Sequence, residues 1–246
     1  MMVEWKRHRM NRPLRTGEGC EEDHVQLSAA LLRLIREEAL RERTVLDVGC
    51  GSGRLALALA EEAGRVIGID HSSEAIERAE QRAACLGLSH VTFCCLDAEA
   101  IDYRPLGPID LVVANLCMSD AILRRAAGAL PPNRFIAFAA FHRDQWKESG
   151  KISRFAYGES QLETALAEAG FEPVYLGVEQ EVLSFANPDD GPAYLEAAGL
   201  AEKWKTDGRW QGFLLYLQGG GRQLTTKARV IVKARKLREN RQGTAY

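Results

Sequence analysis

Two periods govern the arrangement of apolar and polar residues along this chain, and they alternate. Leu27, Leu31, Leu34 and Ile35 fall at helical spacing, and the run TVLDVG that follows is β-rich and ends in glycine. The same change repeats: RLALALAEEA predicts a helix, RVIGID a strand, and SSEAIERAEQRAACL a helix. That helix places Ile76, Ala79, Ala83 and Leu86 on one face, with Ser72 or Ser73 as its N-cap. VTFCCLD and IDLVVAN are nearly continuous apolar runs, as expected of strands covered by helices on both faces. SDAILRRAAGAL predicts a short helix closed by Pro131 and Pro132, RFIAFAAF a fifth strand, and residues 143–158 a polar loop. Ser160 and Glu163 have the spacing of a capping box for the next helix, Gly170 stops it, and FEPVYLGVE reads as a sixth strand.

The rhythm breaks between Val182 and Gly221. NPDDGP is a turn cluster, AYLEAAGLAEKW has helical character, and RWQGFLLYLQGGG has no clear period, so this stretch reads as an insertion. TTKARVIVKAR then alternates, with Ala228, Val230, Val232 and Ala234 on one side and charges mostly on the other, which predicts a last strand. A chain of 246 residues, 46% hydrophobic, suffices for one sizeable α/β core with a small insertion.

Charge and cysteine content narrow the function classes. A net charge of −2 provides no global basic field, which argues against nucleic acid or an anionic membrane as partner. No run of eighteen apolar residues occurs, and the opening MMVEWKRHRMNRPLR lacks the apolar stretch of a secretory signal, so a cytoplasmic enzyme without a membrane span is expected. Six cysteines (Cys20, Cys50, Cys85, Cys94, Cys95, Cys117) form no CxxC pair and are expected to be small, reduced core residues. No metal-ligand cluster is apparent.

The candidate chemistry lies in VLDVGCGSGRLALALA, a strand, a glycine turn and a helix. This sequence sets free N–H groups of a helix start beside the carboxyl end of a parallel strand, the usual ligand position in an open α/β sheet. A nicotinamide fingerprint requires G-x-G-x-x-G, whereas Gly49, Gly51 and Gly53 give G-x-G-x-G with Arg54 at the third fingerprint position. A P-loop is excluded because no G-K-S/T follows. VLDVGCGSG resembles motif I of the class I S-adenosylmethionine (SAM) dependent methyltransferases, an acidic residue followed by G-x-G-x-G, with Asp47, Gly49, Gly51 and Gly53 matching position for position. A carboxylate beside the turn suits a ligand that carries an ammonium and a sulfonium in place of a pyrophosphate. The structural alternative is that Asp47 caps the turn.

Asp70 ends VIGID 21 residues after Gly49, close to the spacing at which an acidic side chain accepts both ribose hydroxyls, and it resembles the family's second acidic position. His71 beside it and Asn115 at the end of the fourth strand are further cofactor-binding candidates. Asp97 follows the third strand, where the resemblance implies acceptance from the adenine amino group, with the N–H of Ala98 serving the ring. Taken singly, these aspartates also suit helix caps or turns. The resemblance covers about residues 24–180 and is closest to the small-molecule group that includes ubiquinone and menaquinone biosynthesis enzymes. It implies an α/β, Rossmann-like, seven-stranded, mostly parallel sheet with an antiparallel last strand, helices on both faces and an insertion before that strand. The expected organisation is a basic N-terminal segment (1–23, with Lys6, Arg7, Arg9, Arg12 and Arg15), a SAM-binding core (24–181), an insertion or substrate lid (182–222), the last core strand (223–235) and a mobile tail (236–246).

The acceptor is less legible. The N/D-P-P-Y/F sequence of amino-directed methyltransferases is replaced here by Asn115 followed by Leu116, Cys117 and Met118, an apolar wall suited to a small molecule. His142 ends the fifth strand on the ligand-binding edge and is the first candidate for a general base; its alternative role is a backbone cap. His24, Tyr157 and Asp120 are weaker candidates for the base, and Met118, His24, Tyr157 and Trp210 are candidates for the substrate pocket. The expected activity is methyl transfer by in-line displacement to oxygen or carbon of a small molecule, possible acceptors including a carboxyl group on a carrier-bound acyl chain. An RNA or protein methyltransferase, a catalytically inactive SAM-binding regulator and a dehydrogenase are the competing readings. A monomer or homodimer is expected.

Overall fold

The alternating periods resolve into one mixed sheet flanked by helices. The computed structural model describes residues 27–153 and 155–238, so His24, the basic N-terminal segment, Cys20 and the chain beyond 238 lie outside the described residues. The elements are α1 (Ala29–Arg36), β1 (Thr44–Val48), α2 (Arg54–Ala60), β2 (Arg65–Asp70), α3 (Ser73–Cys85), β3 (Val91–Cys95), β4 (Leu111–Asn115) and α4 (Asp120–Ala129). They continue with β5 (Phe135–His142), β6 (Ala156–Tyr157), α5 (Glu159–Glu168), β7 (Phe171–Ser184), α6 (Asp190–Ala197), α7 (Ala201–Asp207), α8 (Arg209–Gln218) and β8 (Gln223–Lys236). The strand order is β3-β2-β1-β4-β5-β8-β7. β1 to β5 run parallel, and β8 is antiparallel to both its neighbours. This is the Rossmann-like α/β architecture expected from the sequence. Among the described residues, no helix is long and apolar enough to cross a membrane.

Alternation within each strand divides the core in two. Leu46, Val48, Ile67, Ile69, Val112 and Phe138 face α4 and α5, whereas Val45, Val66, Leu111, Val113 and Ala137 face α1, α2 and α3. Ser72 caps α3 by accepting the N–H of Ala75 at 3.2 Å, and Ser119 caps α4 by accepting that of Ile122 at 3.4 Å. β1 lies between β2 and β4, so its carboxyl end is the switch point of the topology, where open parallel sheets bind ligands.

Three local expectations change. The polar loop after β5 contains β6, whose Ala156 and Tyr157 pair in parallel with Phe141 and His142; two residues carry no readable period. The Ser160–Glu163 capping box does not form, because α5 already begins at Glu159 with Gly158 as its N-cap. RWQGFLLYLQ is helix α8, its period interrupted by Gly212, which lies where a Cβ would sit 2.0 Å from the carbonyl oxygen of Ser149. On the charged side of β8, Arg235 is exposed but Lys233 is only 4% exposed, and its ammonium donates to the Leu34 carbonyl and to the carboxylates of Glu37 and Glu38 at the end of α1. The cysteines also differ from expectation, since Cys50 is buried but Cys85 and Cys95 are exposed; all five described cysteines are free thiols.

Between β7 and β8, helices α6 to α8 gather a cluster of their own around Leu195, Trp204, Phe213 and Leu217, joined by Trp146 from the loop after β5. The Trp146 and Trp204 rings meet edge-on at 5.6 Å, and Trp204 and Phe213 at 5.8 Å.

Candidate active site

The turn between β1 and α2 is shaped by three residues in the left-handed region, Gly49, Gly51 and Gly53, with φ of +65°, +53° and +80°. At two of them space is as decisive as the dihedral. A Cβ on Gly49 would lie 2.2 Å from Cys117 Sγ, and one on Gly53 would lie 2.8 Å from the Phe93 ring. The turn is thus wedged between the chain leaving β4 and the side chains of β3.

Two carboxylates organise this turn. Asp70 Oδ2 accepts the Gly51 N–H and its Oδ1 accepts the Ser72 N–H, each at 2.9 Å, so one side chain ties the glycine loop to the start of α3. A carboxylate has about four acceptor sites, so Asp70 retains capacity for a ligand hydroxyl on each oxygen. Asp47 is 1% exposed; its Oδ2 accepts the Ala56 N–H at 3.0 Å, while its Oδ1 is buried with no hydrogen-bond partner among the described residues. Burial pushes its carboxyl up to about 8, opposed by the Ala56 hydrogen bond and reinforced by the nearby Asp70 charge. One oxygen of Asp47 thus bonds to the first turn of α2 and the other is a buried acceptor without a partner among the described residues, while the side chain lies beneath the turn and does not line the cavity beside it.

A cavity of about 390 Å³ is lined by Gly49, Asp70, His71, Asp97 and Ala98 on its polar side and by Leu116, Cys117, Met118, Ile122 and Phe155 on its apolar side. Asp97 is exposed, and its Oδ1 accepts the Glu99 N–H at 2.9 Å. His71 is exposed, with Nδ1 3.4 Å from Asp70 Oδ1. The Asn115 side chain does not line the cavity, although its Oδ1 is buried without a partner among the described residues. Leu116 takes a left-handed φ of +62° while its N–H bonds to the Ala139 carbonyl at 2.7 Å, and this bend turns Cys117 onto Gly49. Burial, with Asp70 and Asp47 nearby, pushes the Cys117 thiol up to about 11, so it lines the wall as a neutral group. Glu99, Ser119, Ile122 and Phe155 also line the cavity and were not singled out in the sequence; for Ser119 the signal was its position as an N-cap.

The remaining candidates lie elsewhere. His142 is buried and lines a separate cavity that shares no lining residue with the first. Its Nδ1 accepts the Asp144 N–H at 3.2 Å and its Nε2 faces Glu159 Oε2 at 3.1 Å, so both ring nitrogens are engaged. Tyr157 is buried in the core and donates to Asp120 Oδ1 at 2.7 Å. Trp210 packs with the α6–α8 cluster beneath the Lys205 ammonium, 5.2 Å from the ring centre. Neither side chain lines the glycine-turn cavity.

Comparison with known proteins matches this site to a family. A sequence model of the methyltransferase domain matches residues 40–170, more than half of the chain and the whole of the region that builds the cavity up to α5. A malonyl-[acyl-carrier protein] O-methyltransferase of Paenibacillus is 27% identical over 203 residues, 71% of this chain and 73% of that protein. The tRNA (uracil-5-)-methyltransferase homolog A of Mus musculus is 50% identical over 56 residues, 23% of this chain and 9% of that protein. The chain spans between 9% and 24% of the length of the first RNA methyltransferases it matches. A SAM-dependent methyltransferase structure from Methanosarcina mazei has a TM-score of 0.56 at 19% identity, covering 87% of this chain and 100% of that one, which shows the shared fold. With motif I intact, its turn backed by two carboxylates and the domain matched over more than half its length, the chain belongs to the methyltransferase domain family, in the class I group that uses SAM.

Proposed function

We propose that this protein transfers the methyl group of SAM to an oxygen or carbon atom of a small-molecule acceptor. The observation that carries this reading is the two-sided cavity, which sets a row of carboxylates opposite an apolar wall at the switch point of the sheet. SAM supplies a methyl group activated on a sulfonium. The chain's own residues bind and orient. Asp47 Oδ1, buried without a partner among the described residues, accepts from the ammonium group, and that pairing releases the proton which burial holds on its carboxyl. Asp70 accepts the ribose hydroxyls with the lone pairs its two backbone contacts leave over, and Asp97 with the Ala98 N–H holds the adenine. Leu116, Met118, Ile122 and Phe155 exclude water from the side where the acceptor approaches.

Positioning then supplies most of the rate, because a bound and aligned acceptor converts a bimolecular displacement into a unimolecular one. No proton route through His142 is part of this proposal, since its ring is committed to Asp144 and Glu159. The malonyl-carrier O-methyltransferase, the relative matched over the longest stretch among those described, supports an oxygen acceptor, including a carboxyl group. The short match to an RNA methyltransferase motivates the competing substrate.

Radiolabelled SAM supplied with the purified protein and a panel of carboxylic acids, phenols and total RNA tests the reading. Label in the small-molecule fraction supports it, and alkali lability of that label identifies a methyl ester. Label that stays with RNA and is lost on ribonuclease treatment would replace the small-molecule acceptor with RNA.

A further inference from the structure

The cavity beside the glycine turn holds about 390 Å³, near the lower end of the range for ligand sites and room for one ligand of cofactor size. A second cavity of about 500 Å³ opens one strand away, at the carboxyl end of β5. It is lined by His142, Arg143, Asp144, Lys147, Ile152 and Glu159, with the first turn of α5 below. The loop between β5 and α5 serves both: Ile152 faces this cavity, Phe155 faces the cofactor cavity, and both are exposed apolar side chains, at 56% and 39%.

The charges in this second cavity are not equally engaged. Lys147 Nζ pairs with Asp144 Oδ2 at 3.0 Å. Glu159 accepts from its own backbone N–H and from His142 Nε2, and these two hydrogen bonds hold its carboxyl below the usual range. Arg143 is anchored by its backbone, which donates to the Tyr157 carbonyl at 3.1 Å, but its guanidinium has no carboxylate partner among the described residues. It lies along the cavity wall because residue 158 is glycine: a Cβ there would sit 3.0 Å from Arg143 Cδ. An exposed guanidinium with free donors, beside a cavity and flanked by an apolar side chain, is the chemistry that selects an oxyanion.

We infer that this second cavity is the acceptor compartment, and that Arg143 determines specificity there by binding an oxyanion, carboxylate or phosphate, at the end of the acceptor. This rests on the small-molecule reading above and names the substrate class it lacks. The methylated atom reaches the cofactor cavity past Phe155, while the anionic end stays against Arg143 beside Ile152.

The test titrates the full chain, saturated with S-adenosylhomocysteine, with sodium phosphate and separately with sodium succinate at constant ionic strength. Binding is followed by calorimetry and by the arginine Nε–H signals in NMR. Wild type is expected to bind one or both anions saturably, with preference for phosphate or succinate telling a phosphorylated acceptor from a carboxylated one. Arg143→Ala should weaken that binding about tenfold or more, the loss expected of a charge-assisted hydrogen bond. Lys147→Ala should weaken it less, because that ammonium is already paired, and Arg235→Ala, at the far end of the sheet, should leave it unchanged. Circular dichroism verifies folding of each variant. No saturable binding to wild type, or equal loss in Arg143→Ala and Arg235→Ala, overturns the inference while leaving the cofactor assignment intact. Failure to bind S-adenosylhomocysteine removes the cofactor reading and the inference together.

Discussion

Asp47 carries the sharpest electrostatic consequence of any single residue in this chain. Its carboxyl rises on folding from the ordinary range to about 8 because burial disfavours the charged form. A group whose pKa is raised in the folded state holds its proton there after the unfolded chain has released it. Stability therefore falls as pH climbs above the unfolded value, and the loss levels off above about 8. Asp47→Asn removes this titration. Compared by urea unfolding, wild type should lose roughly 1 kcal/mol per pH unit relative to the variant between pH 5 and 7. A constant difference across that range would show that Asp47 is not protonated in the folded apoprotein. The three aspartates were legible because the apolar runs locate them: Asp47 lies one residue before the end of β1, Asp70 closes β2 and Asp97 follows β3. What their oxygens bond to was not, since Asp70 spans 19 residues to reach Gly51.

At the scale of elements, the long periodic segments were readable and the short or interrupted ones were not. β1 to β5, β7 and β8 each carry enough residues to show a pattern, whereas β6 has two and is stabilised by pairing with β5. Helix α8 escaped notice because Gly212, a poor helix former, sits in its middle for a tertiary reason, the close approach of the Ser149 carbonyl. Two glycine substitutions separate propensity from packing. Gly128 in α4 has open space where its Cβ would go, so Gly128→Ala should stabilise by about 0.5–1 kcal/mol. Gly212→Ala should destabilise by about 1–2 kcal/mol despite the same gain in helix propensity, because the new Cβ overlaps backbone. Equal effects of the two substitutions in denaturant melts would contradict the packing assigned to α8.

Across the whole molecule, contacts distant in sequence secure the frame that presents the site. Lys233, 196 residues from Glu37, is buried in the sheet and clasps the last turn of α1, whose helix covers the face behind β5 and β8. No local pattern reveals such a contact, and alternation alone places this lysine among exposed charges. Lys233→Ala should cost about 3 kcal/mol in chemical denaturation, and Lys233→Met less, since its aliphatic stem keeps the packing. A cost below about 0.5 kcal/mol for Lys233→Ala would mean that α1 is held by its apolar face alone. The glycine turn and the strand and helix around it were legible at this scale because they are consecutive in sequence and also form a unit in space. The second cavity was not, because most of its wall comes from the loop after β5, where composition carries no period. The most direct measurement is calorimetric titration of wild type and Asp70→Ala with S-adenosylhomocysteine. The account predicts micromolar binding by wild type that is lost in the variant, which removes the acceptor for Gly51 and Ser72 as well as for the ribose. Equal affinity in both, or no binding by folded wild type, would contradict it.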